Sequence, residues 1–349
     1  MKLALSCVQT AFSANPSIDL PLVKLAEELG FDSAWSAEAY GCDAVSMATW
    51  IAAHTSRIKV GTSIMQMPAR SPAAAAMSTI GLNALSGGRF LLGLGSSGPQ
   101  VAEGWHSVAY DKPLTRTREY VEIIRRILAR DKPVEFQGYH YQLPMSGGNA
   151  TGLGKPLKSV AHTNPDQPIY LASISPGGIR CAAEIGDGVL LSFLKPEIAE
   201  QASEVYVREG LAKPGAHTTR ENFTVSTMVS VVLTDDPAAV RAQMKTGTAR
   251  SLGGMGSKSK NFYKEFASRM GYADACEEIQ SLYLAGRKDE AAAAVPDSFL
   301  NETSLVGSAA QIRERLQAWQ ECEKRGELDM MMLQTTQPEA LTLLAEEML

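Results

Sequence analysis

Eight short apolar runs, each followed by a stretch of helical spacing, constrain this 349-residue chain more than any other feature. The runs are Leu3 to Val8, Ser33 to Ser36, Ile58 to Ile64, Phe90 to Leu94, Ile169 to Ala172, Gly188 to Phe193, Val225 to Leu233 and Met330 to Gln334. Between them, Leu20, Leu22, Val23, Leu25, Ala26 and Leu29 share one helical face, and Gly30 stops that helix. Asp43 is placed to cap a second helix that runs to His54, and Pro72 to open a third through the alanine run to Leu85. Further helices are expected over 116–129, 177–184, 196–209 and 308–324, with a last one from Pro338. Strands alternating with helices predict a parallel sheet. Eight units without a midpoint break in composition predict an α/β fold, a (β/α)8 TIM barrel forming one domain over residues 1–349. A doubly wound sheet is the second reading.

Two stretches exceed a minimal barrel, after strands four and seven. Residues 131–165 hold an expected hairpin, Val134 to Phe136 and Tyr139 to Leu143 around Gly138. Residues 246–300 include Gly253 to Lys260, which reads as a flexible loop. Insertions at the strand ends of a barrel usually build site walls or lids.

Composition narrows the function. A net charge of −5 argues against nucleic acid, whose phosphates need a basic face. No apolar run reaches the length of a membrane span, and Met1 to Gln9 reads as a first strand rather than a signal peptide. Five scattered cysteines without a C-x-x-C pair suit the cytoplasm, and five dispersed histidines offer no metal-binding spacing. The expected partner is a small-molecule substrate.

Two junctions carry the chemistry. Gly88 to Pro99 is an apolar strand running into a loop that holds Gly95 and Ser97, followed by Glu103, Trp105 and His106. Ile169 to Ser173 likewise runs into Ile174-Ser175-Pro176-Gly177-Gly178. Small residues at the end of a buried strand let backbone approach a ligand closely.

Five segments in order, Gly30 to Glu38, Val60 to Ile64, Arg70 to Pro72, Gly88 to Pro99 and Gly186 to Leu190, resemble the luciferase-like flavin and deazaflavin oxidoreductases. Ser97 to His106 and Glu38 to Gly41 look most like members dependent on coenzyme F420. The resemblance implies hydride transfer between F420, a deazaflavin, and a small organic substrate. A monooxygenase using flavin mononucleotide (FMN) and oxygen is the alternative, and a non-catalytic F420 carrier is a third reading. It also implies a bulge with a non-prolyl cis peptide at Ser63-Ile64 against the ring, where the residues alone read as the end of a core strand. It places the cofactor phosphate on Ser173, Ile174, Ser175, Pro176, Gly177 and Gly178, ahead of the helix carrying Arg180, though glycines there also suit an ordinary turn.

Relatives use a glutamate near the reactive carbon, which maps to Glu103. Partial burial beside Trp105 would suit it as an acid, whereas a solvated loop glutamate is the plainer reading. Glu38 matches an acidic residue at the end of strand two. Several relatives follow it with a histidine base where this chain has Ala39, so His106 is a candidate substitute. Trp35 and Trp50 read as core, Arg70 as a cofactor contact or loop cap, and Lys258 and Lys260 as contacts for an anionic tail or solvated residues. A homodimer is the family habit, with Ala73 to Ala76 and the Met47 helix as candidate interface.

Overall fold

The computed structural model describes residues 1–256 and 259–349, so the reading of Lys258 falls outside the described residues. Its barrel strands are β1 (Lys2–Ser6), β2 (Ser33–Ser36), β3 (Lys59–Thr62), β4 (Phe90–Gly95), β5 (Ile169–Ala172), β6 (Gly188–Leu191), β7 (Thr224–Leu233) and β8 (Met330–Gln334). Each lies parallel to its neighbour in sequence, and β8 returns to β1, pairing Lys2 with Met330 through Leu5 with Leu333. The sheet closes as a (β/α)8 TIM barrel, and the doubly wound alternative falls.

Local chemistry sets the helix starts. Asp43 accepts the Ser46 amide at 2.8 Å, and Ser71 accepts that of Ala74 at 3.1 Å just before Pro72. Ser308 and Gln311 form a reciprocal capping box at the helix Ala309–Lys324. Gly30, at φ 88°, ends the helix Leu20–Glu28 in a conformation that a side chain disfavours.

An aromatic pair fills the barrel interior beneath its mouth. Trp35 and Tyr170 meet edge to face, centroids 5.3 Å apart, and the indole N–H donates to Ser33 Oγ at 2.8 Å. Glycines on neighbouring strands make room. A Cβ on Gly61 would lie 2.3 Å from the Trp35 ring, and one on Gly188 would lie 2.5 Å from that of Tyr170.

Several details depart from the sequence reading. The second excursion is largely helical, with helices at Phe262–Ala267, Ala273–Leu284, Lys288–Ala293 and Asp297–Thr303. Gly253 and Gly254 are not in a free loop but pack under the Tyr283 ring. The hairpin is shorter than expected, Phe136–Gln137 against Gln142–Leu143, and its turn is held by the Glu119 carboxylate, which accepts the amides of Tyr139, His140 and Tyr141. An unforeseen strand, Leu305–Gly307, extends β7 sideways. Trp50 is not core: it is 52% exposed and lies against His54.

At the opposite end of the barrel from the strand carboxyl ends, Asp187 ties three elements together. Its carboxylate accepts the Ile169 amide at 2.9 Å and Arg125 Nη2 at 3.1 Å, and it lies 3.2 Å from His217 Nε2. Burial pushes its pKa up, but His217, the Ile169 amide and Arg125 together outweigh this and hold it below the ordinary value. A lowered carboxylate pKa stabilises the fold above the unfolded value of about 3.8, and that contribution is lost as pH falls through the folded pKa. Asp187→Asn is expected to destabilise the protein by about 1–3 kcal/mol at neutral pH and to weaken the acid-induced loss of stability. Denaturant unfolding at pH 7 and at about pH 2.5, below the unfolded value, checks this; equal midpoints for the two proteins at pH 7 would contradict it.

Candidate active site

The carboxyl ends of the strands open into a cleft of about 1180 Å³. Its shape depends on a break in the ladder between β3 and β4. Gly61 pairs with Leu91, but Met65 then pairs with Leu94, so β3 carries one extra residue, a bulge. The Thr62 hydroxyl replaces the lost strand contacts, donating to Gly93 O at 2.8 Å and accepting Gly93 N at 3.0 Å. Ser63 and Ile64 follow, joined by a cis peptide, and both line the cleft. They do more than end a strand, because Ile64 lies over Gly95, where a Cβ would fall 2.2 Å from Ile64 Cδ1.

The second wall is the turn from β5 into the helix Pro176–Ile185. Ser175 caps that helix by accepting Gly178 N at 3.2 Å, and its hydroxyl lies 3.5 Å from that of Ser173. A Cβ on Gly178 would meet Ser173 Oγ at 1.9 Å, so glycine keeps both hydroxyls convergent at a helix N-terminus. Ser173, Ile174, Ser175 and Gly178 line the cleft; Pro176 and Gly177 lie behind them. Arg180, further along this helix, pairs with Glu209 instead.

Glu38 is buried and fully engaged. Its oxygens accept a fork from Arg70 at 3.0 and 2.7 Å and the amides of Ala44 and Gln66 at 3.0 Å each. Arg70 therefore directs its fork to Glu38 and does not line the cleft, where the expectation was a cofactor contact or a loop cap. With every accepting direction of the carboxylate occupied, Glu38 positions its neighbours more readily than it accepts a proton from a ligand. Gln66 passes the network on: its Oε1 lies 2.8 Å from His106 Nε2, so the imidazole N–H points at Gln66. His106 does not line the cleft.

Glu103 has the exposure of the plainer of its two readings. It lies in the short helix Pro99–Gly104, exposed and outside the cleft, and its carboxylate accepts the Tyr110 amide at 3.0 Å. Trp105 is exposed too, so the burial that would suit an acid is missing. Loop length alone could not show that the chain turns into a helix at Pro99 and carries Glu103 outward. Gln100, Tyr110 and Lys112, which the sequence reading passed over, face the cleft instead. Burial raises the Tyr110 phenol above its ordinary value, and a hydrogen bond from Ser96 pulls it partly back. Ser97, at φ 55°, and Lys112, at φ 39°, adopt left-handed backbone uncommon for such residues, a feature concentrated at functional sites. Cys181 also lines the cleft, but burial pushes its thiol up to about 11, which leaves it an unreactive thiol. No group of three or more metal-ligating side chains occurs among the described residues.

Residues 13–323 match the family described as luciferase-like monooxygenase, and the chain belongs to that family. It is 44% identical over 306 residues to a Mycobacterium tuberculosis protein named as a candidate coenzyme F420-dependent oxidoreductase, covering 87% of this chain and 88% of that one. It is 31% identical over 295 residues to 5,10-methylenetetrahydromethanopterin reductase of Archaeoglobus fulgidus, covering 84% and 83%. Among solved structures it resembles the F420-dependent tetrahydromethanopterin reductase of Methanopyrus kandleri, with a TM-score of 0.76 at 22% identity, covering 99% of this chain and 97% of that one. At that identity the likeness concerns the fold.

Removing one partner of a buried ion pair leaves an uncompensated charge. Arg70→Met is expected to cost about 3–5 kcal/mol of stability, whereas Glu38→Gln with Arg70→Met together should cost less than the sum of the two single changes. Thermal and denaturant unfolding of the three variants checks this; additive losses would show that the fork contributes no coupling.

Proposed function

We propose that this protein is an oxidoreductase that moves a hydride between coenzyme F420 and a small organic substrate in the cytoplasm. What carries the reading is the pairing of an apolar bulge, Ile64 over Gly95, with a hydroxyl-lined helix N-terminus at Ser173–Gly178 in one cleft, in a chain two of whose relatives bear F420-dependent names. The residues suit a deazaflavin: Ile64 offers a flat apolar surface for a ring, and Ser173, Ser175 and the amide end of the helix offer donors to a phosphate. When bound, F420 supplies a ring carbon that accepts or gives a hydride.

The chain's residues then have separate tasks. Ser63 and Ile64 hold one ring face so that substrate meets the other. The Glu38–Arg70 fork keeps Gln66 and the bulge in place. Hydride removal from an alcohol carbon also releases the hydroxyl proton, and reduction of a carbonyl takes one up. Tyr110, with Ser96 beside it, is a cleft-facing hydroxyl suited to hold that proton. Its position supports it better than Glu103, which lies outside.

Titration of the purified chain with F420 and with FMN tests the cofactor. F420 is expected to bind preferentially, and Gly178→Ala to raise its dissociation constant about tenfold or more, because the added methyl displaces the Ser173 hydroxyl. Preference for FMN would favour oxygen chemistry instead, and wild-type affinity in a folded Gly178→Ala variant would remove the phosphate from this turn.

We also propose a homodimer. The adjacent helices Ala44–His54 and Pro72–Leu85 expose the large apolar side chains Trp50, Met77 and Leu85, which a two-fold partner would cover. Within the alanine run Ala75 and Ala76 are buried in the subunit, and Ala73 and Ala74 are half-buried beside these exposed side chains. Light scattering should give twice the chain mass at micromolar concentration, and Met77→Glu should shift it toward the monomer. A monomeric wild type would refute the assembly.

A further inference from the structure

Three segments from distant parts of the chain meet at the edge of the cleft, on the side of β1 and β2. Phe12 ends the 3-10 turn Val8–Phe12 that follows β1, and Tyr40 sits in the turn after β2. Arg250 begins the turn Arg250–Gly254, at the end of the helix Pro237–Ala249. All three line the cleft. Phe12 and Tyr40 meet edge to face with centroids 6.2 Å apart, and the Arg250 guanidinium lies 5.6 Å from the centre of the Phe12 ring.

The arrangement is built into the backbone. A Cβ on Gly41 would lie 2.6 Å from the Ala11 carbonyl oxygen, so only glycine lets the turn after β2 close on the turn after β1. The Cys42 thiol points at Thr10 O at 3.5 Å and holds the same contact. These turns pack tightly, yet the aromatic rings they carry stay 47% and 55% exposed. Exposed aromatics on the wall of a cleft offer apolar area that a ligand, rather than the protein, would bury.

Arg250 differs from Arg70, which does not line the cleft but pairs with the Glu38 that does. Arg70 spends its fork on Glu38, while Arg250 makes no ion pair among the described residues. The nearby carboxylates do not claim it either: Glu38 is committed to Arg70, and Glu265, which also lines the cleft, makes no pair with Arg250. An arginine stacked on a ring keeps its N–H edge available for a carboxylate or similar anion. The phosphate-binding turn proposed above lies across the barrel, on β5, so the two anion sites are separate.

We infer that Phe12, Tyr40 and Arg250 select a substrate with a planar apolar body and an anionic group, an aromatic carboxylate in its simplest form. This inference rests on the proposed hydride-transfer reading, since it names the substrate class for that same cleft. The probes are 2-naphthoate and its uncharged analogue 2-naphthamide, titrated calorimetrically into the full chain with and without F420. The acid is expected to bind about tenfold more tightly than the amide. Arg250→Met should bring the acid down to the amide's affinity, and Phe12→Ala should weaken both by about tenfold, with F420 affinity and the circular dichroism spectrum unchanged. Equal affinity for acid and amide, discrimination that survives Arg250→Met, or failure of both probes to bind would overturn it. So would weakened F420 binding in Arg250→Met, which would give the guanidinium to the cofactor. If the probes are distinguished but F420 does not bind, the cofactor assignment fails while the rim stands. If F420 binds and the probes are not distinguished, the rim fails alone.

Discussion

Everything at the mouth of this barrel depends on one close approach, the Thr62 carbonyl against the α-carbon of Gly93. A Cβ at position 93 would stand 1.7 Å from that oxygen, so no other residue permits the contact without moving backbone. The approach is what allows β3 to carry its extra residue. Without the bulge, Met65 and Gln66 would move one place along β4 and every side chain beyond would change face. Ile64 would leave Gly95, and Gln66 would leave Glu38 and His106. Thr62 stabilises the bulge from within, because its hydroxyl occupies both polar groups of Gly93 that the broken ladder would otherwise leave buried and unpaired.

Charge is distributed differently at the two ends of the molecule. At the start of the strands, aspartates are matched to backbone and arginine together. Asp187 takes the Ile169 amide and Arg125, and Asp329 takes the Val225 amide at 2.8 Å and Arg220 at 3.1 Å. These pairs join strand to strand and helix, the stabilising work expected of that face of a barrel. At the other end, one ion pair, Glu38 with Arg70, is buried and holds the loops after β2 and β3 together. Beyond it the lining includes hydroxyls, aromatic rings and the Arg250 guanidinium, which makes no ion pair among the described residues. Groups committed to each other shape the cleft, and groups left uncommitted face what enters it.

The barrel was legible because its signals are local and repeated. Apolar runs four to nine residues long marked the strands, and Asp43 and Pro72 marked helix starts. The glycine-rich ends of β4 and β5 could be read too, since close backbone contact restricts residue choice strongly. Glu103 stayed between a buried acid and a solvated residue because its exposure depends on whether the chain after Gly98 continues as loop or turns into a helix, and a six-residue helix leaves almost no periodic trace. Trp50 was misread for a related reason: its helix is apolar on most faces, with both Ile51 and Ala52 buried beside it, so pattern alone cannot tell which face meets the barrel. The Glu38–Arg70 pair spans 32 residues, and Arg250 meets Phe12 across a far larger separation. Spacing holds no information about such contacts, because only the closed sheet brings them together.

The difference between Arg70 and Arg250 follows from where the fold places each. A buried guanidinium without a partner would cost several kcal/mol, so Arg70 requires Glu38 and the two act as a structural unit. At the rim, water solvates Arg250 without penalty, and the guanidinium lies 5.6 Å from the centre of the Phe12 ring with no ion pair among the described residues. The rim cation can therefore bind and release an anion, because solvent replaces the ligand at little cost each time. The buried cation cannot, since losing its carboxylate would destabilise the bulge on which the cleft is built. One residue type thus serves permanence on one side of the mouth and exchange on the other, and the depth at which the barrel seats it decides which.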